Sequence, residues 1–176
     1  MNQLSNIHTF TFGGGCFWCL HAIFKRVKGV INVKSGYSSG QVKNPTYKEI
    51  CTGTTGHAEV VQIEFDIQKI LYENILDIFF HIHDPTQLNR QGNDIGTQYR
   101  SIILYRNQQQ KEISEKILNQ QPNKDKIVTE IKQFEEFYEA EEYHQDYYDQ
   151  NTEQGYCKAV VSVKLKKFLD QYKQNL

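Results

Sequence analysis

Three glycines followed by a cysteine and two aromatics, Gly13-Gly14-Gly15-Cys16-Phe17-Trp18-Cys19, constrain this 176-residue chain more than any other stretch. The run before them, His8-Thr9-Phe10-Thr11-Phe12, is β-branched and aromatic, as strands are. After Cys16 the apolar period changes: Leu20, Ile23, Phe24 and Val27 fall at i, i+3, i+4 and i+7, one face of a helix. The glycines permit a tight turn with close backbone approach. Cys16 is therefore expected at a strand-to-helix junction, at or near the N-terminus of the helix. Free N–H groups and the helix dipole stabilise negative charge there, so a lowered thiol pKa and a reactive thiolate are expected. The competing reading is a buried structural cysteine, since free cysteine is among the most buried residue types. The glycine turn favours the reactive one.

Length and charge narrow the classes. A chain of 176 residues suits one domain with a proper core, spanning 1–176. A formal charge of −1 leaves no nucleic-acid or membrane footprint. Met1-Asn2-Gln3-Leu4 has no basic segment followed by an apolar one, so no signal peptide is expected. No apolar run is long enough to span a bilayer. Four cysteines are too few for a disulfide scaffold and read as catalytic or metal-binding, in a reducing cytoplasm.

Periodicity gives an alternating α and β order. Strands are expected near 7–12, 30–35, 58–65, 99–105 and 127–134, with an extended segment at 47–51. Helices are expected near 17–27, 70–83, 108–120 and 141–150. The order implies an α/β (α+β) fold: a single-domain two-layer sandwich with a ferredoxin-like core and an irregular C-terminal segment.

Glu59 opens the strand Glu59-Val60-Val61-Gln62-Ile63-Glu64-Phe65. Alternation puts it on one face with Val61, Ile63 and Phe65, the apolar face. A carboxylate there loses solvation, holds its proton near neutral pH and can act as a general acid. An exposed glutamate at the wet end of the strand fits the same pattern, and periodicity alone leaves both open. Two polar loops feed apolar segments, Arg90 to Arg100 and Pro45-Thr46-Tyr47, and offer Asp94, Tyr99 and Tyr47 as acceptor and phenolic donors. Cys51, on an expected strand, reads as a packed bystander.

Taken together, Gly15-Cys16-Phe17-Trp18, Pro45-Thr46-Tyr47, Gly56-His57-Ala58-Glu59, His83-Asp84-Pro85, Gln91-Gly92-Asn93-Asp94 and Gly96-Thr97-Gln98-Tyr99-Arg100 resemble the motifs of the A-type peptide methionine sulfoxide reductases. Phe137-Tyr138, Ala140-Glu141 and Tyr143-His144-Gln145 continue the pattern, so the resemblance runs in order from about residue 8 to 160. It implies reduction of the S epimer of methionine sulfoxide, free or in proteins, one enzyme type serving each epimer. Cys16 would attack the sulfoxide sulfur and Glu59 would supply the proton. Tyr47 and Tyr99 would hydrogen-bond the oxygen, Asp94 would shape the pocket, and Phe17 and Trp18 would hold the S-methyl group. Cys157 matches the C-terminal resolving cysteine, which would convert a Cys16 sulfenic acid to a disulfide. No bound cofactor or metal is implied; thioredoxin or a similar dithiol protein would be the external reductant.

The chain departs from the common pattern twice. Cys19 stands where many members have glycine, and no cysteine follows Cys157. Cys19 is therefore an alternative resolver. Two rival classes remain: a thioredoxin-like dithiol oxidoreductase using Cys16 and Cys19, and a zinc-binding module using these with His81 and His83.

Overall fold

The computed structural model describes residues 5–176. The alternation of the first strand, β1 (Ile7–Gly13), turns Phe10 and Phe12 into the core, where both are fully buried. The chain continues as α1 (Phe17–Phe24), β2 (Val30–Ser38), α2 (Tyr47–Ile50), β3 (Ala58–Asp66) and α3 (Tyr72–Ile82). A small hairpin of β4 (Arg90–Gln91) and β5 (Asp94–Ile95) leads into β6 (Ile102–Tyr105) and α4 (Gln108–Asn119). β7 (Glu130–Gln133), β8 (Phe137–Glu139), α5 (Tyr147–Gln150) and α6 (Ser162–Gln171) complete it.

Six strands form one sheet in the order β7-β6-β1-β3-β2-β8. All neighbours are antiparallel except β6 and β7. α1 joins β1 to β2, and β3 lies between them, a split β-α-β unit. The main core fills one side, where Phe10, Phe12, Val61, Ile63 and Phe65 of the sheet meet α1, α3 and α6. Phe12 packs edge-on against Phe24 and Phe79 at centroid distances of 4.8 and 5.3 Å. Burying each such ring contributes about 1.5–3 kcal/mol. Ala58, Val60, Ile102 and Leu104 face the other way, under Phe134 and Phe137. The mixed α/β class and the two layers are as expected.

Several elements differ from the sequence reading. Residues 47–51, expected as extended, form the short helix α2 and its C-cap. The reason is a capping box: Thr46 Oγ1 accepts from Glu49 N–H at 3.2 Å, and Glu49 Oε1 accepts from Thr46 N–H at 3.1 Å. The helix expected over 141–150 is broken at Asp146, which takes the left-handed φ of +58°; a 3-10 turn at Glu142–His144 and α5 lie on either side. The C-terminal segment, expected irregular, is helical from Gly155: a π-helical turn, Cys157–Val161, continues into α6. Val161, Leu165 and Phe168 bury one side of it, at spacings of four and three.

Candidate active site

The glycine turn delivers Cys16 to the N-cap of α1, with extended backbone angles (φ −68°, ψ 129°). Gly15 takes the left-handed φ of +82°, which a side chain would strain. Gly13 lies so close to β3 that a side chain there would strike the Glu59 carbonyl oxygen. Gly15 N–H donates to the Tyr99 carbonyl at 3.1 Å, tying the Cys16 turn to the Tyr99 turn.

Glu59 sits on the apolar face of β3 and is only 1% exposed. Its Oε1 accepts the Phe17 N–H at 3.1 Å, one of the free donors of the first turn of α1. Burial nevertheless dominates and lifts its pKa to about 8; the Phe17 N–H pulls the other way and Asp94 adds to the rise. At neutral pH Glu59 is a carboxylic acid. Of the two readings left open by periodicity, the structure selects the desolvated one.

The thiol behaves differently from the expectation. Burial pushes the Cys16 pKa well above the ordinary thiol value, and neighbouring Glu59 and Cys19 add to this. The Trp18 N–H pulls it down, as a helix start should, but does not prevail. At neutral pH Cys16 and Glu59 therefore each hold a proton.

Tyr47 opens α2 and Tyr99 closes the 3-10 turn Thr97–Tyr99. Burial, with Glu59 next in effect, raises both phenols far above their ordinary pKa, so both remain donors. Asp94, on β5, accepts from the Tyr156 hydroxyl at 2.5 Å. Phe17 is fully buried beside Tyr37, whereas Trp18 is half-buried and stacks on Tyr147 at 3.8 Å with a 9° interplanar angle. Both rings flank His144, at 5.2 and 5.8 Å, Phe17 from the buried side and Trp18 from the more exposed one.

Cys157 is fully buried on the turn that packs against α1. Although the C-terminal segment was expected to be irregular, Cys157 itself sits on the helical side that Val161, Leu165 and Phe168 bury. Cys19 is also buried, with its thiol pushed up to about 11 by burial, against the pull of Lys164 and of the nearby Tyr156 hydroxyl. Cys51, expected to be packed, is exposed at the C-cap of α2.

Glu141, Arg100 and His83 hold the parts of the site together through partners that the sequence reading did not supply. The carboxylate of Glu141 accepts from Tyr37 Oη at 3.0 Å and from the Tyr47 N–H at 2.9 Å, so it seats α2. Arg100 donates to the carbonyls of Gly56 and Thr97, both at 3.0 Å, joining the loop that leads into β3 to the turn that carries Tyr99. His83 supports Gly14 from below: its Nε2 bonds Ser101 Oγ at 2.8 Å, and burial lowers its pKa to about 4. The quoted motifs contained these residues, but neither period nor spacing revealed their partners. Among the described residues, no three His, Cys, Asp or Glu side chains converge as metal ligands would.

A thiol at a helix start, beside a buried carboxylic acid, two phenols and an aromatic wall, defines a thiol-based catalytic centre. The family model described as peptide methionine sulfoxide reductase matches residues 8–176, and the chain belongs to that family. It is 62% identical over 161 residues to the peptide methionine sulfoxide reductase MsrA of Saccharolobus solfataricus, covering 90% of this chain and 91% of that one. Mxr1 of Saccharomyces cerevisiae in its reduced form superposes with a TM-score of 0.81 at 37% identity, over 86% of this chain and 89% of that chain. Mxr1 in complex with Trx2 superposes with a TM-score of 0.58 at 26% identity, over 80% and 84% of the two chains. No described helix is long and apolar enough to cross a membrane.

Proposed function

We propose that this chain, acting as one domain over 1–176, reduces the S epimer of methionine sulfoxide, free and in proteins, to methionine. The Cys16 sulfur attacks the sulfoxide sulfur. Glu59 protonates the departing sulfoxide oxygen, and the thiol proton of Cys16 restores the acid. The protonated oxygen leaves the substrate sulfur, and the S–S bond formed in the attack breaks as that oxygen, or a water in its place, bonds to the Cys16 sulfur. Methionine departs and Cys16 is left as sulfenic acid, the substrate sulfur reduced by two electrons and Cys16 oxidised by two. Tyr47 and Tyr99 donate to the oxygen, Asp94 holds the pocket wall through Tyr156, and Phe17 and Trp18 enclose the S-methyl group. The main support is Glu59 itself. It is a buried acid whose Oε1 is occupied by the Phe17 N–H, next in sequence to Cys16, which leaves its proton for Oε2. Given a thioredoxin system, the protein is expected to turn over the S sulfoxide and refuse the R sulfoxide. Comparable turnover of both would contradict the stereochemical assignment.

The sulfenic acid is resolved by a second thiol, releasing water and leaving a disulfide. Cys19 is one helical turn from Cys16, its N–H bonded to the Cys16 carbonyl at 3.1 Å, and residues three apart on a helix are near neighbours, as a disulfide requires. Cys157 is packed against the same helix, close enough to Cys19 to raise its pKa. These positions support a relay in which Cys19 takes the oxidation first and Cys157 second. Cys19→Ser should then release about one methionine per enzyme and stall, and Cys157→Ser should trap a Cys16–Cys19 disulfide, seen by peptide mass mapping. Full thioredoxin-linked turnover by Cys19→Ser would return the resolving role to Cys157 alone. Thioredoxin, or a similar dithiol protein, is the reductant, as the Mxr1 complex with Trx2 suggests. Four free thiols fit a reducing cytoplasm.

A further inference from the structure

His144 is fully buried inside the aromatic wall, with ring centroids of Tyr47 at 4.3 Å and Phe17 at 5.2 Å. Its Nδ1 accepts the indole N–H of Trp18 at 3.0 Å. The lone pair on Nδ1 is thereby committed, so the proton of the neutral ring sits on Nε2. That atom is buried and has no hydrogen-bond partner. A buried donor without an acceptor is costly, and native structures hold few of them. The fold accepts it here to keep Nδ1 facing Trp18.

The ring is held in turn. Gln145, the next residue, locks the segment to the edge of β2: its Oε1 accepts from Ser35 N–H at 2.9 Å and its Nε2 donates to the Ser35 carbonyl at 2.8 Å. Glu141, three residues earlier, seats Tyr47 as described. Tyr147 covers one face of Trp18 and Tyr156 packs edge-on against the indole at 5.8 Å, so a ligand meets only the surface they leave. Stacking alone allows the indole to slide and spin in its plane; a hydrogen bond from Nε1 fixes that freedom.

We propose that His144 is a positioning residue that sets the orientation of Trp18 through the acceptor at Nδ1, and so determines affinity for the sulfoxide. This rests on the reading of Trp18 as a wall of the S-methyl pocket. Trp18 is the only tryptophan in the chain, so its emission reports the site without labels.

The test is single-turnover methionine release against sulfoxide concentration, read together with tryptophan emission, for three variants. His144→Phe keeps a ring and removes the acceptor. His144→Asn keeps an acceptor oxygen at the Nδ1 position. His144→Gln places its polar atoms at the Nε2 position instead. The half-saturating concentration should rise about 3- to 10-fold in His144→Phe and His144→Gln, the worth of one neutral hydrogen bond. The plateau rate should change less, and the emission should shift. His144→Asn should restore both. The Asn and Gln contrast decides the matter even if His144→Phe does not fold. Asn behaving like Gln, or a shifted emission with unchanged half-saturation, would overturn the proposal. Trp18→Ala tests the underlying reading separately: an unchanged half-saturation there removes the S-methyl wall itself.

Discussion

Cys16→Ser is expected to reduce methionine release to background while leaving the fold intact. Sulfur can take the sulfoxide oxygen as a sulfenic acid; a serine oxygen cannot, because it would have to form a peroxide. The hydroxyl is also a far poorer nucleophile than the thiol at any accessible pH. The variant carries its own control for stability. Cys16 makes no side-chain cap hydrogen bond to α1, whereas serine is among the best N-cap residues. Cys16→Ser should therefore be as stable as the native chain or up to about 1 kcal/mol more so. Loss of activity with an equal or higher unfolding midpoint is the expected pair of results. Retained methionine release would remove Cys16 from the mechanism.

Glu59→Gln carries the second large effect, and it has two arms. Glutamine keeps an oxygen to accept the Phe17 N–H but has no proton to give. The methionine-releasing step should slow by about 10²–10⁴. Stability should move the other way. In the fold Glu59 keeps its proton up to about pH 8, against an ordinary value of 4.5 in the unfolded chain. Below 4.5 both states are protonated and nothing is lost. As pH rises from there toward 8, the unfolded chain ionises first and the native state loses stability, by about 3 kcal/mol at pH 7. Glutamine is neutral throughout and escapes this loss. Denaturant unfolding should show Glu59→Gln close to native in stability at pH 4 and clearly more stable at pH 7. An equal difference at both pH values would mean that Glu59 is not a desolvated acid.

The sequence exposed this site unevenly, and the reasons are physical. The strand-to-helix turn at Cys16 was readable because glycines, a period-2 run and a period-3.6 run meet there. The burial of Glu59 was half readable: alternation gave its face, but not the β1 backbone and α1 turn that enclose it. The raised Cys16 pKa was not readable, because a dipole argument is local while desolvation depends on everything packed around the thiol. Thr46-Tyr47-Lys48-Glu49 was a missed capping signature, visible in the letters and outweighed by the β-leaning aromatic and isoleucine around it. Cys157 was misplaced for a related reason. The glycine and polar residues before it read as irregular, whereas Val161, Leu165 and Phe168 after it carry the helix face that buries it. Glu141, His144 and Tyr156 act through partners 62 to 126 residues distant, as in the bonds of Trp18 to His144 and Tyr156 to Asp94. No window of sequence holds both ends.

The most direct test of the central claim is to find where the oxygen goes. The reduced double variant Cys19→Ser, Cys157→Ser lacks both proposed resolving thiols but keeps Cys16 and Glu59. It should be mixed with one equivalent of methionine S-sulfoxide in the presence of a sulfenic-acid trapping reagent, then digested and weighed. About one methionine should be released per enzyme, with the trapped sulfenic acid on the Cys16 peptide alone. Methionine release with the adduct on Cys51, or no release and no adduct, would contradict the account.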